Sequence, residues 1–283
     1  MNIKVSIFLL LLTAFVTTSI KAQQIQMPQA SPSASVSQKI GLTDVKVEYS
    51  RPSVKGRKIF GSLVPYGEVW RTGANASTKL SFSSDVTLSG HKVPAGTYAL
   101  YTIPGKKDWT IILSKNLELW GAIGYNNEDD AVRFTVPAQK SKEAYETMEI
   151  SFNDLTNSGA SLNLNWEKTG IAFSIETEVE PVVMNQIQEL VIDQNTDNPG
   201  LLYQAASFYY SIDKDLDTAH TWIQKSVSAD PKYWTMHLKA KIEDKLGLKE
   251  EAIKSAELSK EMAQEAKNMD YVGLNDRLIK SIK

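Results

Sequence analysis

The chain has 283 residues, 31 basic against 33 acidic side chains, a formal net charge of −2, and no cysteine. That balance excludes a globally basic surface built for nucleic acid or anionic lipid. The missing cysteines exclude disulfides, a thiol nucleophile and cysteine-ligated zinc. Two ordinary domains fit this length, and burial alone can stabilise each.

The first residues, MNIKVSIFLLLLTAFVTTSIKAQQ, combine Lys4, an apolar run from Val5 to Val16 and the small residue Ala22. This is the pattern of a secretory signal peptide over residues 1–22, cleaved after Ala22. Thr13, Thr17, Thr18 and Ser19 interrupt the run, so a retained membrane anchor fits less well. The expected location is therefore periplasmic or secreted, with no transmembrane segment after cleavage. Residues 23–35, rich in Gln, Pro and Ser, read as a flexible leader.

From Val36 the apolar period becomes two. Val45, Val47 and Tyr49 alternate with Lys46 and Glu48, and Leu80 and Phe82 alternate with Lys79 and Ser81. Val86 and Leu88 run into Ser89-Gly90-His91, a hairpin turn in which Gly90 supplies positive φ. Pro94-Ala95-Gly96 and Pro104 to Asp108 mark further turns around Tyr98–Tyr101 and Trp109–Leu113. Later strands are expected at 131–136, 147–152, 161–166 and 171–178, with turns at Asn157-Ser158-Gly159 and Lys168-Thr169-Gly170. Short, evenly spaced strands predict an antiparallel β-sandwich or barrel over residues 36–179.

At Val179-Glu180-Pro181 the period turns helical and stays so over 180–283. Asn198-Pro199 and Asp230-Pro231 each place a capping side chain before a proline, predicting two helix starts. Tyr203, Ala206, Ser207, Tyr210, Ala219, Ile223, Ser226 and Pro231 follow the spacing of the tetratricopeptide repeat, a helix pair of ~34 residues. Ala219 and Ala252 repeat it, but Glu243 or Asp244 falls where Tyr210 stands in the first copy. The second region is therefore a TPR-like α-helical domain, with a groove suited to a protein partner.

No metal or cofactor motif is found. His91, His220 and His237 lack a ligating partner at helical spacing. Asp213, Asp215 and Asp217 resemble the start of a calcium loop, but Thr218 and Gln224 occupy its glycine and glutamate positions. Those aspartates read instead as a helix cap. There is no GxSxG elbow and no phosphate-cradling glycine pattern.

Chemistry is concentrated in Val47 to Ser77, a long connection between two strands. Loops of this length are functional or disordered, and its apolar and aromatic content argues against disorder. Arg51, Arg57 and Arg71 offer planar forks for a carboxylate, phosphate or sulfate. Tyr49, Tyr66 and Trp70 offer faces for a sugar or another ring, and Asn75 offers an amide. The competing reading pairs the arginines internally with Asp44, Glu48, Asp85 or Asp130, while Phe60 and Trp70 plug one end of the sandwich.

YSRPSVKGRKIFGSLVPYGEVWRTGANAST, followed by PAGTYALYTIP and WTIILS, resembles the bacterial domain-of-unknown-function family 2911, over about Ser31 to Glu178. The resemblance implies an exported β-rich domain and supplies no catalytic residues. Three functions follow as expectations. One is a periplasmic module binding a small anionic or sugar ligand at the 47–77 loop, with a protein partner at the helical tail. Another is a cell-envelope hydrolase using Tyr66, Arg71 and Asn75 to orient its substrate. The third is a structural β scaffold that binds through its tail alone.

Overall fold

The computed structural model describes residues 27–283, and the expected signal peptide lies outside them. Among these described residues, ten strands form two antiparallel sheets. The first has the order β1-β2-β3-β6-β7-β8, made of β1 (Ser33–Ile40), β2 (Thr43–Ser50), β3 (Thr78–Phe82), β6 (Gly96–Ile103), β7 (Asp108–Ser114) and β8 (Asp130–Pro137). The second has the order β5-β4-β10-β9, made of β5 (His91–Val93), β4 (Val86–Leu88), β10 (Gly159–Thr177) and β9 (Gln139–Asn153). One apolar core joins their inner faces, with Val47, Leu80, Leu100 and Ile111 from the first sheet and Ile150, Leu164 and Ile175 from the second. Two faces closing on one core make a sandwich, which settles the choice that pattern alone left open.

The turn at Ser89-Gly90 joins β4 to β5, with both residues at positive φ (44° and 86°), the primed geometry that suits the twist of a two-residue hairpin. Two expectations within the sandwich need correction. Strand β1 starts at Ser33, inside the stretch read as leader, because Ser33, Ser35 and Ser37 occupy the exposed positions of an edge strand. Lys168-Thr169-Gly170 is not a turn. β10 runs straight through it, pairing with β9 on both sides of register shifts at Asn165–Glu167 and Glu167–Thr169. Glu167 takes φ 55° there. The core-facing residues are even-numbered before it (Leu162, Leu164, Trp166) and odd-numbered after (Ile171, Phe173, Ile175). A bulge restores the inward face after a break in the alternation, where a turn would have ended the strand.

Beyond Thr177 the chain is helical: α1 (Glu180–Ile187), α2 (Pro199–Ser211), α3 (Leu216–Ala229), α4 (Tyr233–Lys245), α5 (Lys249–Glu265) and α6 (Met269–Ile282). Asn198 caps α2 by accepting from the Gly200 and Leu201 amides, and Asp215 caps α3 by accepting from the Thr218 amide. Ala219 and Ala252 are both fully buried, where small side chains let paired helices approach. Asp230 ends α3 instead of starting α4; Lys232 and Thr235 begin α4 two residues later. Glu243, at the aromatic position of the first copy, is buried, and its Oε1 meets Lys239 Nζ at 2.6 Å. Among the described residues no helix is long and apolar enough to cross a membrane.

Candidate functional site

The 51–77 connection is ordered by short pairings: Ser53 with Thr147, Phe60 with Val64, Trp70 with Thr102 and Ala76 with Trp120. Most of its conspicuous residues serve the fold. Tyr49 is buried, and its hydroxyl accepts from the Ile150 amide at 3.0 Å. Trp70 stacks on Trp166 (5.8 Å between centroids) and meets Phe60 and Trp109 edge-on. Those four rings pack on one another within the core cluster. Tyr66, partly exposed, lays its ring against Gly61.

The three arginines separate. Arg51 donates from Nε to the Met148 carbonyl at 2.9 Å and reaches Glu149 only at 4.0 Å. Arg57 donates to the carbonyls of Val54 (3.0 Å) and Ser53 (2.6 Å), stapling its own loop. Arg71 does neither. Its Nε is buried without a hydrogen-bond partner, and no carboxylate pairs with it among the described residues. The four acids proposed for internal pairing are partly engaged elsewhere: Asp44 with Lys39, Glu48 with Lys46 and Asp130 with Arg133.

Trp70 enters the core, so Arg71, its neighbour in extended chain, is placed on the outer face of the first sheet. Cross-strand pairs put Lys79 and Ala99 on that face, and Tyr101 and Ile112. Ala99, Tyr101 and Ile112 are buried there, because the segment 115–126 folds over them with Leu117, Leu119, Ala122 and Tyr125. The segment is pinned at two points. Lys79 Nζ donates to the Leu117 carbonyl at 2.5 Å, and Tyr101 Oη donates to the Gly121 carbonyl at 3.1 Å. Gly121 sits at φ +78°, a conformation that favours glycine, and a Cβ on it would lie 2.7 Å from Arg71 Nη1, so its backbone rests close against the guanidinium.

A polar cluster results. Lys79 Nζ also donates to Ser77 Oγ at 2.7 Å, and Ser77 is buried. Burial holds the Lys79 ammonium below the usual lysine value, with Glu118 pulling the other way. Burial pushes the Tyr101 phenol up, partly offset by its hydrogen bond with Ser77 and by the Arg71 charge. Further along, Tyr125 donates to Asp130 at 2.8 Å, and burial together with that carboxylate pushes its phenol up to about 12. Arg133 closes this second group on Asp130 at 2.9 Å.

Two open grooves border the cluster. One of about 490 Å³ is lined by Ser35, Glu48, Ser77 and Lys79. The other, of about 450 Å³, is lined by Ser31, Asn75 and Trp120. They share Ser33, Ser50 and Ala76 and so form one depression. Asn75 lines it, with its amide donating to the Ser31 carbonyl and to Ser50 Oγ, both at 3.2 Å.

The family model for a protein of unknown function (DUF2911) matches residues 31–175. The chain belongs to this family. The DUF2911 match begins just before β1 and ends within β10, so it contains the sandwich, the 51–77 connection and the whole outer-face cluster. The helices lie beyond it. No curated protein and no solved structure matches the chain.

Within the DUF2911 region, sequence reasoning picked out Arg71 and Asn75 and missed Ser77, Lys79, Tyr101 and Trp120. A signal for them existed. Tyr98 to Thr102 is buried without alternation, which a strand shows only when both faces are covered. Something had to lie on the outer side of β6, and 115–126 is the nearby irregular segment.

Proposed function

We propose that this is an exported binding protein that takes a small anionic ligand at the outer face of its DUF2911 sandwich, with Arg71 and Lys79 as the charged contacts. The observation that carries this reading is the unpaired state of Arg71. A buried guanidinium nitrogen without an acceptor costs stability, and such a cost persists where function requires the group. Lys79, beside it through Ser77 and Tyr101, likewise has no ion pair with a carboxylate among the described residues. Glu118 and Glu48 lie near Lys79 without forming an ion pair with it, and two cations with two hydroxyls favour an anion, for which arginine supplies a planar fork and lysine a point charge.

A hydrolase would call for a carboxylate or histidine of shifted pKa in a cleft beside the loop. The displaced groups beside it are Lys79 and Tyr101, which favours binding over acid–base hydrolysis. Isothermal titration with phosphate, sulfate, acetate and citrate tests the reading. At least one anion should bind the wild type, and Arg71→Ala should abolish that binding while the protein stays folded. No binding by any of the four would end the proposal.

The helical tail supports a second, separate contact. Lys241 and Lys245 of α4 both stand over the Tyr210 ring of α2, at 4.6 and 4.7 Å from its centroid. This cationic and aromatic stripe suits an acidic protein segment.

A further inference from the structure

The depression beside Arg71 has a lining unlike that of an ordinary small-molecule site. Such sites are mostly apolar with a few polar groups. Here the walls are hydroxyls and an amide, from Ser33, Ser50 and Asn75, with Lys79 and Glu48 towards one end. The large apolar exception is Trp120, which borders the other end and is 67 % exposed. An exposed tryptophan of that size is costly to keep in water unless something covers it.

Trp120 is also held in place. Its backbone pairs with Ala76, and the loop on either side is tied down through Leu117 by Lys79 and through Gly121 by Tyr101. The same two side chains belong to the cationic cluster. The aromatic plate and the charge are thus fixed relative to one another before any ligand arrives, which lowers the ordering cost of binding.

Resting on the anion-binding reading above, we infer that the ligand is a saccharide carrying an acidic group: its ring lies on Trp120, its hydroxyls meet the Ser33, Ser50 and Asn75 wall, and its anion faces Lys79 at the margin of the Arg71 cluster. A pyranose presents a C–H face that packs on an indole and a rim of hydroxyls that donate and accept. Glu48 shares the Lys79 end and accepts from a ring hydroxyl next to the acid that Lys79 holds. An extended neutral hydrocarbon would leave the hydroxyl wall unpaired, at a cost for each desolvated group.

The test titrates the full chain with D-glucuronate, D-glucose 6-phosphate, D-glucose and acetate, following tryptophan fluorescence and heat. Expected is binding of glucuronate or glucose 6-phosphate, with glucose and acetate each weaker by about tenfold or more, since each keeps only one half of the recognition. Glucuronate preferred over glucose 6-phosphate assigns a carboxylate; the reverse assigns a phosphate. Trp120→Ala should weaken the acidic sugar about tenfold, as loss of an aromatic anchor does, and leave acetate unchanged. Trp120→Phe should keep most of the affinity, and far-UV circular dichroism should show both variants folded. Acetate binding as tightly as either acidic sugar, with Trp120→Ala silent, overturns this inference and leaves the anion site standing. Glucose binding as tightly as glucuronate also overturns it. No binding by any of these probes overturns this inference, while the titration with phosphate, sulfate, acetate and citrate decides the anion site separately.

Discussion

Replacing Arg71 with methionine separates a site from a structural pair. Methionine keeps most of the stem and removes the guanidinium, whose Nε is now buried without an acceptor. An unsatisfied buried polar group costs about 1–3 kcal/mol. Arg71→Met should therefore raise the stability of the sandwich by up to that amount. With a melting-point response of about 2–4 °C per kcal/mol, the gain is roughly 2–12 °C. Arg51→Met is the control. It loses a charge-assisted bond to the Met148 carbonyl at 2.9 Å, a contact worth about 1.5–3 kcal/mol, and should be destabilised by a similar amount. Urea unfolding followed in the near-UV reports on the sandwich through the coupled rings of Trp70, Trp109 and Trp166. The far-UV helical signal follows the tail separately, so that one two-state fit is not forced on two domains. A loss of more than about 1 kcal/mol in Arg71→Met would show that the guanidinium has a structural partner, and the anion site would lose its chief residue.

Four further outcomes are expected. Anion affinity should fall with rising pH before an ordinary lysine would titrate, because burial holds the Lys79 ammonium below its usual value and the ligand requires the charged form; Lys79→Arg should move that fall to higher pH in the same titration. Trp70→Ala should cost about 3 kcal/mol or more in urea unfolding, since it opens a hole beside Phe60, Trp109 and Trp166. Tyr125 ionises near 10 in the unfolded chain but only at about 12 when folded, so the folded state holds the proton longer and stability falls as pH rises through that window. Tyr125→Phe should flatten the fall between pH 10 and 12 while lowering stability at neutral pH through loss of the Asp130 bond. Glu243→Ala should cost the helical domain roughly 3–5 kcal/mol by leaving Lys239 without its buried partner, and Glu243→Leu with Lys239→Met should recover most of it; loss of the signal at 222 nm reports both.

The fold was largely readable because its signals are local. Alternation in β2 and β3, the Ser89-Gly90 turn and the caps at Asn198 and Asp215 each act within a few residues. The misreadings came where a local signal has two physical meanings. Thr169-Gly170 is turn chemistry, but a bulge at Glu167 satisfied the backbone within one strand. Asp230-Pro231 suits either the end of one helix or the start of the next, and the fit of Lys232 with Thr235 chose the first. The candidate site was only half readable for a different reason. Arg71, Lys79, Tyr101 and Trp120 come from a loop, two strands and a second loop, and only sheet pairing brings them together. Nor could composition distinguish Arg51 and Arg57, which bind carbonyls of the backbone, from Arg71, which does not.

The 19-residue β10 carries a mechanical consequence. It is hydrogen-bonded to β9 over its first part and to β4 at its last residues, Ile175 to Thr177, immediately before the chain enters the helices. A pull transmitted through the helical tail therefore enters the sandwich along the strand, with ladder bonds that lie across the direction of force. Those bonds share the load in shear and do not open one after another like a zip. If the tail grips a partner, the sandwich behind it is an anchor that resists extension, and a tethered ligand site can stay formed while the tail is under tension.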